Sequence, residues 1–193
     1  MSTAEKIKTY TVDEYFALDA AAEYHYEYND GQVYAMSGGT IVHGIIIANI
    51  IGELREKLKG SSCMVASSDV RVETEKGRSY SHPDAVVFCG TPQTTDNRKD
   101  TLLNPTLVIE VLSESTAAYD RGGKFRKYRG IPGFREYLLV EQDTLMVDRF
   151  YRKDNGIWVF DGTEYREDKI ELQSLGVTLE VAEIYRGVSF PNE

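Results

Sequence analysis

Apolar and polar residues alternate along this chain with two different periods, and the switches between them mark out its elements. Thr11-Val12-Asp13-Glu14 forms a capping box, with Thr11 as N-cap and Glu14 as its reciprocal partner, and predicts a short helix through about Asp19. Residues 24–28 and 32–36 flank Asn29-Asp30-Gly31, whose Asp-Gly step signals a hairpin. From Thr40 to Lys59, Ile47, Ile50, Ile51, Leu54 and Leu58 recur at helical spacing, and Gly60 closes this long amphipathic helix. Residues 63–66, 69–74 and 84–89 read as strands, and the polar stretch 90–104 reads as a long surface loop of the kind that is often functional. Residues 106–112 are the most apolar strand, central in its sheet, and 115–128 form a helix ending near Gly130 and Pro132. Strands at 136–140, 144–151, 157–161 and near Ile170, then a helix at 181–185, complete a mostly antiparallel second half. There is no internal repeat. The pattern predicts one α+β domain over residues 1–193, with a mixed central β-sheet flanked by helices and an aromatic-rich β-meander in the C-terminal third.

Composition narrows the classes. A chain of 193 residues with 41% hydrophobic and 27% charged residues is ordinary for a globular protein with a substantial core. The balance of 31 acidic to 22 basic residues, a net charge of -9, argues against a nonspecific nucleic-acid binder, which would show a basic face. It leaves room for an enzyme with a local basic cleft. Residues 1–9 are polar, unlike a signal peptide, and no apolar run approaches the ~20 residues that span a bilayer. The expectation is a cytoplasmic protein with no membrane partner. Cys63 and Cys89 sit in apolar runs without metal-site spacing and are expected to be buried free thiols rather than a disulfide. P-loop, dinucleotide-binding and nucleophile-elbow patterns are absent.

Two carboxylates stand where buried strands should have none. Pro83-Asp84 opens the apolar run Ala85-Val86-Val87-Phe88, and Glu110 interrupts Leu107-Val108-Ile109-Glu110-Val111-Leu112. Buried acids are paired or bind metal. If the two strands are neighbours, both carboxylates can face one point, where at about 4 Å they repel by roughly 4 kcal/mol at an effective dielectric near 20. A hard divalent cation with oxygen ligands offsets that, whereas separate pairing with arginines or turn capping is the plainer reading. On the helix that follows, Asp120, Lys124 and Tyr128 recur at i, i+4, i+8, with Arg121 and Lys127 nearby. An amine there could stabilise charge developing on a phosphate, Lys127 being the second choice after Lys124; a surface ion pair between Asp120 and Lys124 is the alternative. Glu27 alternates with His25 on what could be a solvated edge, or it could add a third oxygen ligand. His43, in the first turn of the long helix, could activate water or contact a phosphate, or simply pack. His82 reads as a loop residue, and Ser113, Ser115 and Thr116 as caps of the next helix. Among the 13 tyrosines and Trp158, those within 137–165 suggest a homodimer interface more than a base-stacking surface.

Taken in order, Tyr26-Glu27-Tyr28-Asn29-Asp30-Gly31-Gln32-Val33, His43 opening a helix, Pro83-Asp84, Glu110-Val111-Leu112-Ser113, and Lys124 with Tyr128 resemble the Uma-two (Uma2) family of restriction-endonuclease-like proteins in the PD-(D/E)XK nuclease superfamily. The resemblance spans residues 11–149. It implies a restriction-endonuclease-like core whose metal site lies at splayed strands. Asp84 and Glu110 would bind Mg²⁺ or Mn²⁺, Glu27 would be an additional acid, and Lys124 the catalytic amine. His43, Lys127 and Tyr128 would meet the substrate, DNA. Leu112 occupies the position of the superfamily's lysine, so Lys124 would reach the same point from the helix, and Glu114 stands where the family usually has proline. A catalytically inactive nuclease fold serving as an oligomerisation or binding scaffold is the alternative.

Overall fold

The alternating strands gather into two six-stranded sheets and a two-stranded ribbon in a computed structural model that describes residues 8–36, 38–95 and 98–190. In chain order the N-terminal elements are α1 (Val12–Ala21), β1 (Tyr26–Asn29), β2 (Gln32–Ala35), α2 (Ile41–Lys57), β3 (Cys63–Ser67), β4 (Arg71–Glu75) and β5 (Ser79–Ser81). Next come β6 (Ala85–Cys89), β7 (Thr94–Thr95), β8 (Arg98–Leu102), β9 (Leu107–Leu112), and a helical segment made of α3 (Ala117–Tyr119), a π-helical turn (Asp120–Lys124) and α4 (Phe125–Tyr128). The rest is β10 (Glu136–Glu141), β11 (Val147–Arg152), β12 (Trp158–Thr163), β13 (Lys169–Leu172), β14 (Val177–Glu180) and α5 (Val181–Ile184).

The main sheet is ordered β12-β11-β10-β9-β6-β3, with β9 and β10 parallel and the other neighbours antiparallel. Every residue of β9 is buried, as in a strand covered on both faces. Leu107, Ile109 and Val111 face one layer, where they pack with Ile46, Ile50 and Leu54 of α2 and with α5. Val108 and Leu112 face the other, with Phe125 and Tyr128 of α4. The second sheet, β2-β1-β5-β4-β8-β7, sends Val72 and Leu102 into this latter cluster, so the helical segment is packed by both sheets. Tyr15 and Phe16 of α1 close its other side against Tyr28 and Tyr80.

Local signals work as chemistry requires. Thr11 and Glu14 make the reciprocal capping bonds, and Asp30 and Gly31 both adopt positive φ (46° and 87°) in the hairpin turn. The hairpin is shorter than read, and α2 ends at Lys57.

Three readings are corrected. Cys63 and Cys89 are not free thiols: they face each other across the β3–β6 pair and form a disulfide. They are 26 residues apart, so only the strand register brings them together. The stretch 90–104 is not a bare loop, because Arg98–Leu102 pairs in parallel with β4 while burying only Thr101 and Leu102. One buried end on a polar strand leaves no alternation to detect. The helix 115–128 is interrupted by its π turn, at Gly122-Gly123. A Cβ on Gly123 would lie 2.8 Å from the Tyr119 ring, so the glycine lets that ring fold back over the turn. Among the described residues no helix is long and apolar enough to cross a membrane.

Candidate functional site

The site lies where the two sheets and the helical segment meet. In the β6–β9 register Ala85 pairs with Ile109 and Val86 with Val108. One step further sets Asp84 opposite Glu110, at the splayed start of β6. Asp84 Oδ2 accepts the Val111 amide at 2.7 Å, which fixes the carboxylate toward the cleft. Glu110 lies on the strand face turned to the helical segment. There Lys124 Nζ stands 2.8 Å from Glu110 Oε1, 3.0 Å from Glu27 Oε1 and 3.6 Å from Asp120 Oδ1. Glu27 comes from β1 in the other sheet and also accepts the His82 amide at 3.2 Å. The π turn preserves the Asp120–Lys124 pairing while aiming both side chains into this buried point.

One ammonium serves several carboxylates here. Burial opposes the Lys124 charge, yet Glu110, Glu27 and Asp120 outweigh it and hold its pKa well above the ordinary lysine value. Burial pushes Glu110 well above the usual carboxylate range; Lys124 opposes this, and Asp120, Asp84 and Glu27 reinforce it. Asp120 is raised for the same first reason. Glu110 Oε1 is also a buried acceptor without an aligned hydrogen-bond donor, since Lys124 is close but off-angle. Such an orphaned oxygen in an all-carboxylate donor set fits a hard divalent ion. Glu27, Asp84 and Glu110 do not all come within 4.8 Å of one another among the described residues, and Lys124 Nζ lies in ion-pair range of both Glu27 and Glu110.

His43 sits beside Asp84. Thr40 caps α2 and accepts the His43 amide at 3.1 Å, while its own hydroxyl donates to Gln142 at 2.7 Å. His43 Nε2 lies 3.0 Å from the Val111 carbonyl and 3.4 Å from Asp84 Oδ2. A carbonyl only accepts, so Nε2 carries the hydrogen and is not a free base. The ring needs Gly39, where a Cβ would fall 2.6 Å from Nδ1. The Asp84 hydrogen bond, against burial, raises the His43 pKa above 6.5. A raised histidine adds stability that is fully present below its unfolded pKa and is lost as pH rises through the folded one. Accordingly, the melting-temperature gap between wild type and His43→Gln should be wider at pH 5.5 than at pH 8.5; a gap independent of pH would remove the Asp84 pairing.

The cleft above these groups has a volume of about 1260 Å³. Its wall includes Glu27, Asp84, Glu110, Glu114, Asp120 and Asp143, with Lys124 the one lysine or arginine among the described residues. Of the residues expected in the site, Glu27, His43, Asp84, Glu110 and Lys124 are brought together there. Lys127 and Tyr128 are not part of that wall. Lys127 Nζ donates to the Tyr119 hydroxyl at 2.9 Å, and Tyr128 is fully buried in the core with its hydroxyl unpartnered. Tyr119, Gln142 and Asp143 join the wall without having been singled out. Burial raises the Tyr119 hydroxyl to about 12, so it remains a neutral donor. Its one sequence signal was the facing Gly122-Gly123.

Two layered sheets with acids at a splayed strand and a lysine from the adjoining helix define a protein of restriction-endonuclease-like, nuclease-type fold. The chain belongs to the Uma2 family, described as "Putative restriction endonuclease", whose profile matches residues 12–182. An uncharacterized protein of Synechocystis sp. is 37% identical over 180 residues, covering 92% of each chain. A second from the same organism is 29% identical over 173 residues, 90% of this chain and 97% of the relative. A crystal structure from Anabaena variabilis, described as "a putative nuclease belonging to DUF820", superposes with a TM-score of 0.74 over 91% of this chain and 97% of its own. At 16% identity, that likeness speaks to the fold alone.

Proposed function

We propose that this protein is a Mg²⁺- or Mn²⁺-dependent endonuclease that hydrolyses DNA phosphodiester bonds. The observation that supports it most is the convergence of Asp84, Glu110 and Lys124 in one cleft of a restriction-endonuclease family member. Asp84 and Glu110 would hold the ion, and Glu27 is the additional acid. When bound, the ion would lower the pKa of the attacking water and neutralise charge on the phosphate. Lys124, held by Glu27 and Glu110, supplies positive charge where negative charge develops on the scissile phosphate. His43 keeps Asp84 oriented through its Nε2–H.

The acidic wall shapes how DNA would enter. With one lysine among six carboxylates, the cleft repels a polyanion until cations occupy it. The same acidity and the direct Lys124–Glu110 pairing favour a second reading, a catalytically inactive scaffold. The exposed Ile157 and Phe160, before and on edge strand β12, would then extend its role as the surface of a homodimer.

Titration calorimetry of Mg²⁺ and Mn²⁺ on wild type and Glu110→Ala, followed by plasmid cleavage, separates the two. The expected result is saturable binding and cleavage in wild type, both lost in the variant. Absence of binding at millimolar metal, with and without DNA, would favour the scaffold.

A further inference from the structure

His82 lies in the connection from β5 in the second sheet to β6 in the main one, and its ring does not point to solvent. It is 1% exposed. Its Nδ1 lies 2.9 Å from the Ser68 carbonyl, which can only accept, so Nδ1 carries the hydrogen and Nε2 holds a bare lone pair. That Nε2 has no hydrogen-bond partner, and it faces Asp19 Oδ2 at 3.9 Å. His25 repeats the arrangement. Its Nε2 is turned to Asp69 at 3.7 Å, and its Nδ1, also without a hydrogen-bond partner, faces Asp19 Oδ1 at 3.6 Å. Asp19, His25 and His82 are the one group among the described residues whose ligand atoms all lie within 4.8 Å of one another.

We propose that Asp19, His25 and His82 form a binding site for a transition-metal dication of the Zn²⁺ type, separate from the Asp84–Glu110 cleft. Two imidazole nitrogens and a carboxylate oxygen are a donor set suited to such an ion rather than to Mg²⁺. His82 also has the outer partner that ligating histidines have, the Ser68 carbonyl, and the exposed Asp69 carboxylate stands 3.7 Å from His25 Nε2, beyond hydrogen-bond distance. The charge allows it. Arg71 is bound to Asp19 Oδ2 at 2.5 Å and to Asp100 at 3.1 Å, Asp19 Oδ1 accepts the Tyr26 amide at 2.7 Å, and Asp69 stands beside His25 Nε2. Asp19, Asp69 and Asp100 still outnumber Arg71 and Arg98, whose guanidiniums share the Phe16 ring, so a dication meets no excess of positive charge. The two rings stack, with centroids 4.3 Å apart and planes at 10°, so ligation requires one ring to tilt. His25, with its side chain 40% exposed, is the ring free to do so, and it leaves a solvent-facing position on the ion.

Such an ion would pin the crossing between the sheets. The His82 amide holds Glu27, and Asp84 follows two residues later, so ligation at His82 would fix the approach of both acids to the cleft.

Co²⁺, which reports its ligands in the visible spectrum, is the probe, titrated into the full chain. With excess Mg²⁺ present to occupy the Asp84–Glu110 cleft, the expected result is one saturable equivalent of Co²⁺ with N/O-type d–d bands and no thiolate charge transfer. In His25→Ala the affinity should fall by at least about tenfold, while Asp84→Asn retains the signal. Zn²⁺ should raise the melting temperature of wild type and leave that of His25→Ala unchanged. His82→Asn should behave like His25→Ala; if it fails to fold, His25→Ala decides alone, because its ring is partly exposed. The proposal is overturned by no saturable signal, by wild-type affinity in His25→Ala, or by a signal that vanishes in Asp84→Asn instead.

Discussion

Lys124→Met should abolish cleavage and, in metal-free buffer at pH 7, cost about 3–5 kcal/mol of stability, the range seen when one partner of a buried ion pair is removed. Lys124 is 4% exposed and lies within 3.6 Å of Glu110, Glu27 and Asp120. Methionine is close in shape, so the effect isolates charge. Two effects compete. Burying an ammonium costs several kcal/mol, and the variant is spared that. Against this, each carboxylate at 3–4 Å contributes attraction of order 4 kcal/mol at an effective dielectric near 20, and three of them are left facing one another. The carboxylates win, and they respond by taking up protons, as Glu110 is already inclined to do. An acid whose folded pKa is raised destabilises above its unfolded pKa and stops doing so below it. The loss should therefore grow as pH rises from the ordinary carboxylate range toward the raised folded pKa and disappear as pH falls below that range. Mg²⁺ should restore part of it, about 2.7 kcal/mol at one hundred times the dissociation constant. Chemical denaturation with and without Mg²⁺ at pH 4 and pH 7 checks all three statements. A variant with wild-type stability and no response to Mg²⁺ would show that the acids are not a cation site.

The acids were legible because they break a pattern. Asp84 and Glu110 interrupt apolar runs, and a buried charge in a strand demands a partner whatever the fold. His43 and Thr40 were legible as the start of a helix. Glu27 was legible only through the family resemblance, because its alternation with His25 describes an edge strand equally well; the placement of β1 in the second sheet and the His82 amide bring it to Lys124. Lys127 and Tyr128 lie beyond the π turn at Gly122-Gly123 and outside the cleft wall, Tyr128 being buried in the core close to Glu110 and Lys124. The disulfide and the short strand β8 depend on register between distant segments, which local periodicity does not encode. His82 looked like a loop residue since nothing in its neighbours announces that Ser68 and Asp19 will enclose it.

Asp84→Asn is the substitution that best separates catalysis from folding. The amide keeps the size of the carboxylate, and its oxygen can still accept the Val111 N–H that Asp84 Oδ2 accepts at 2.7 Å. What is lost is one negative charge next to Glu110, whose pKa Asp84 helps to raise. Relieving that repulsion should leave the melting temperature at or above wild type, despite the weaker contact with His43. Metal affinity should move the other way. Loss of an outer hydrogen-bond partner costs a metal site about 10–100-fold, and removing a direct charged ligand should exceed that. Cleavage should fall by at least as much, because the positive charge opposite the phosphate falls with it. A protein that is more stable and inactive is the pattern expected where acids are crowded for function rather than for the fold. Differential scanning calorimetry with Mg²⁺ titration and plasmid cleavage on the same preparation reads both quantities. Undiminished metal binding and cleavage in a folded Asp84→Asn protein would exclude Asp84 as a ligand, and a large drop in stability would make its bond to Val111, rather than any ion, the reason for its place in the cleft.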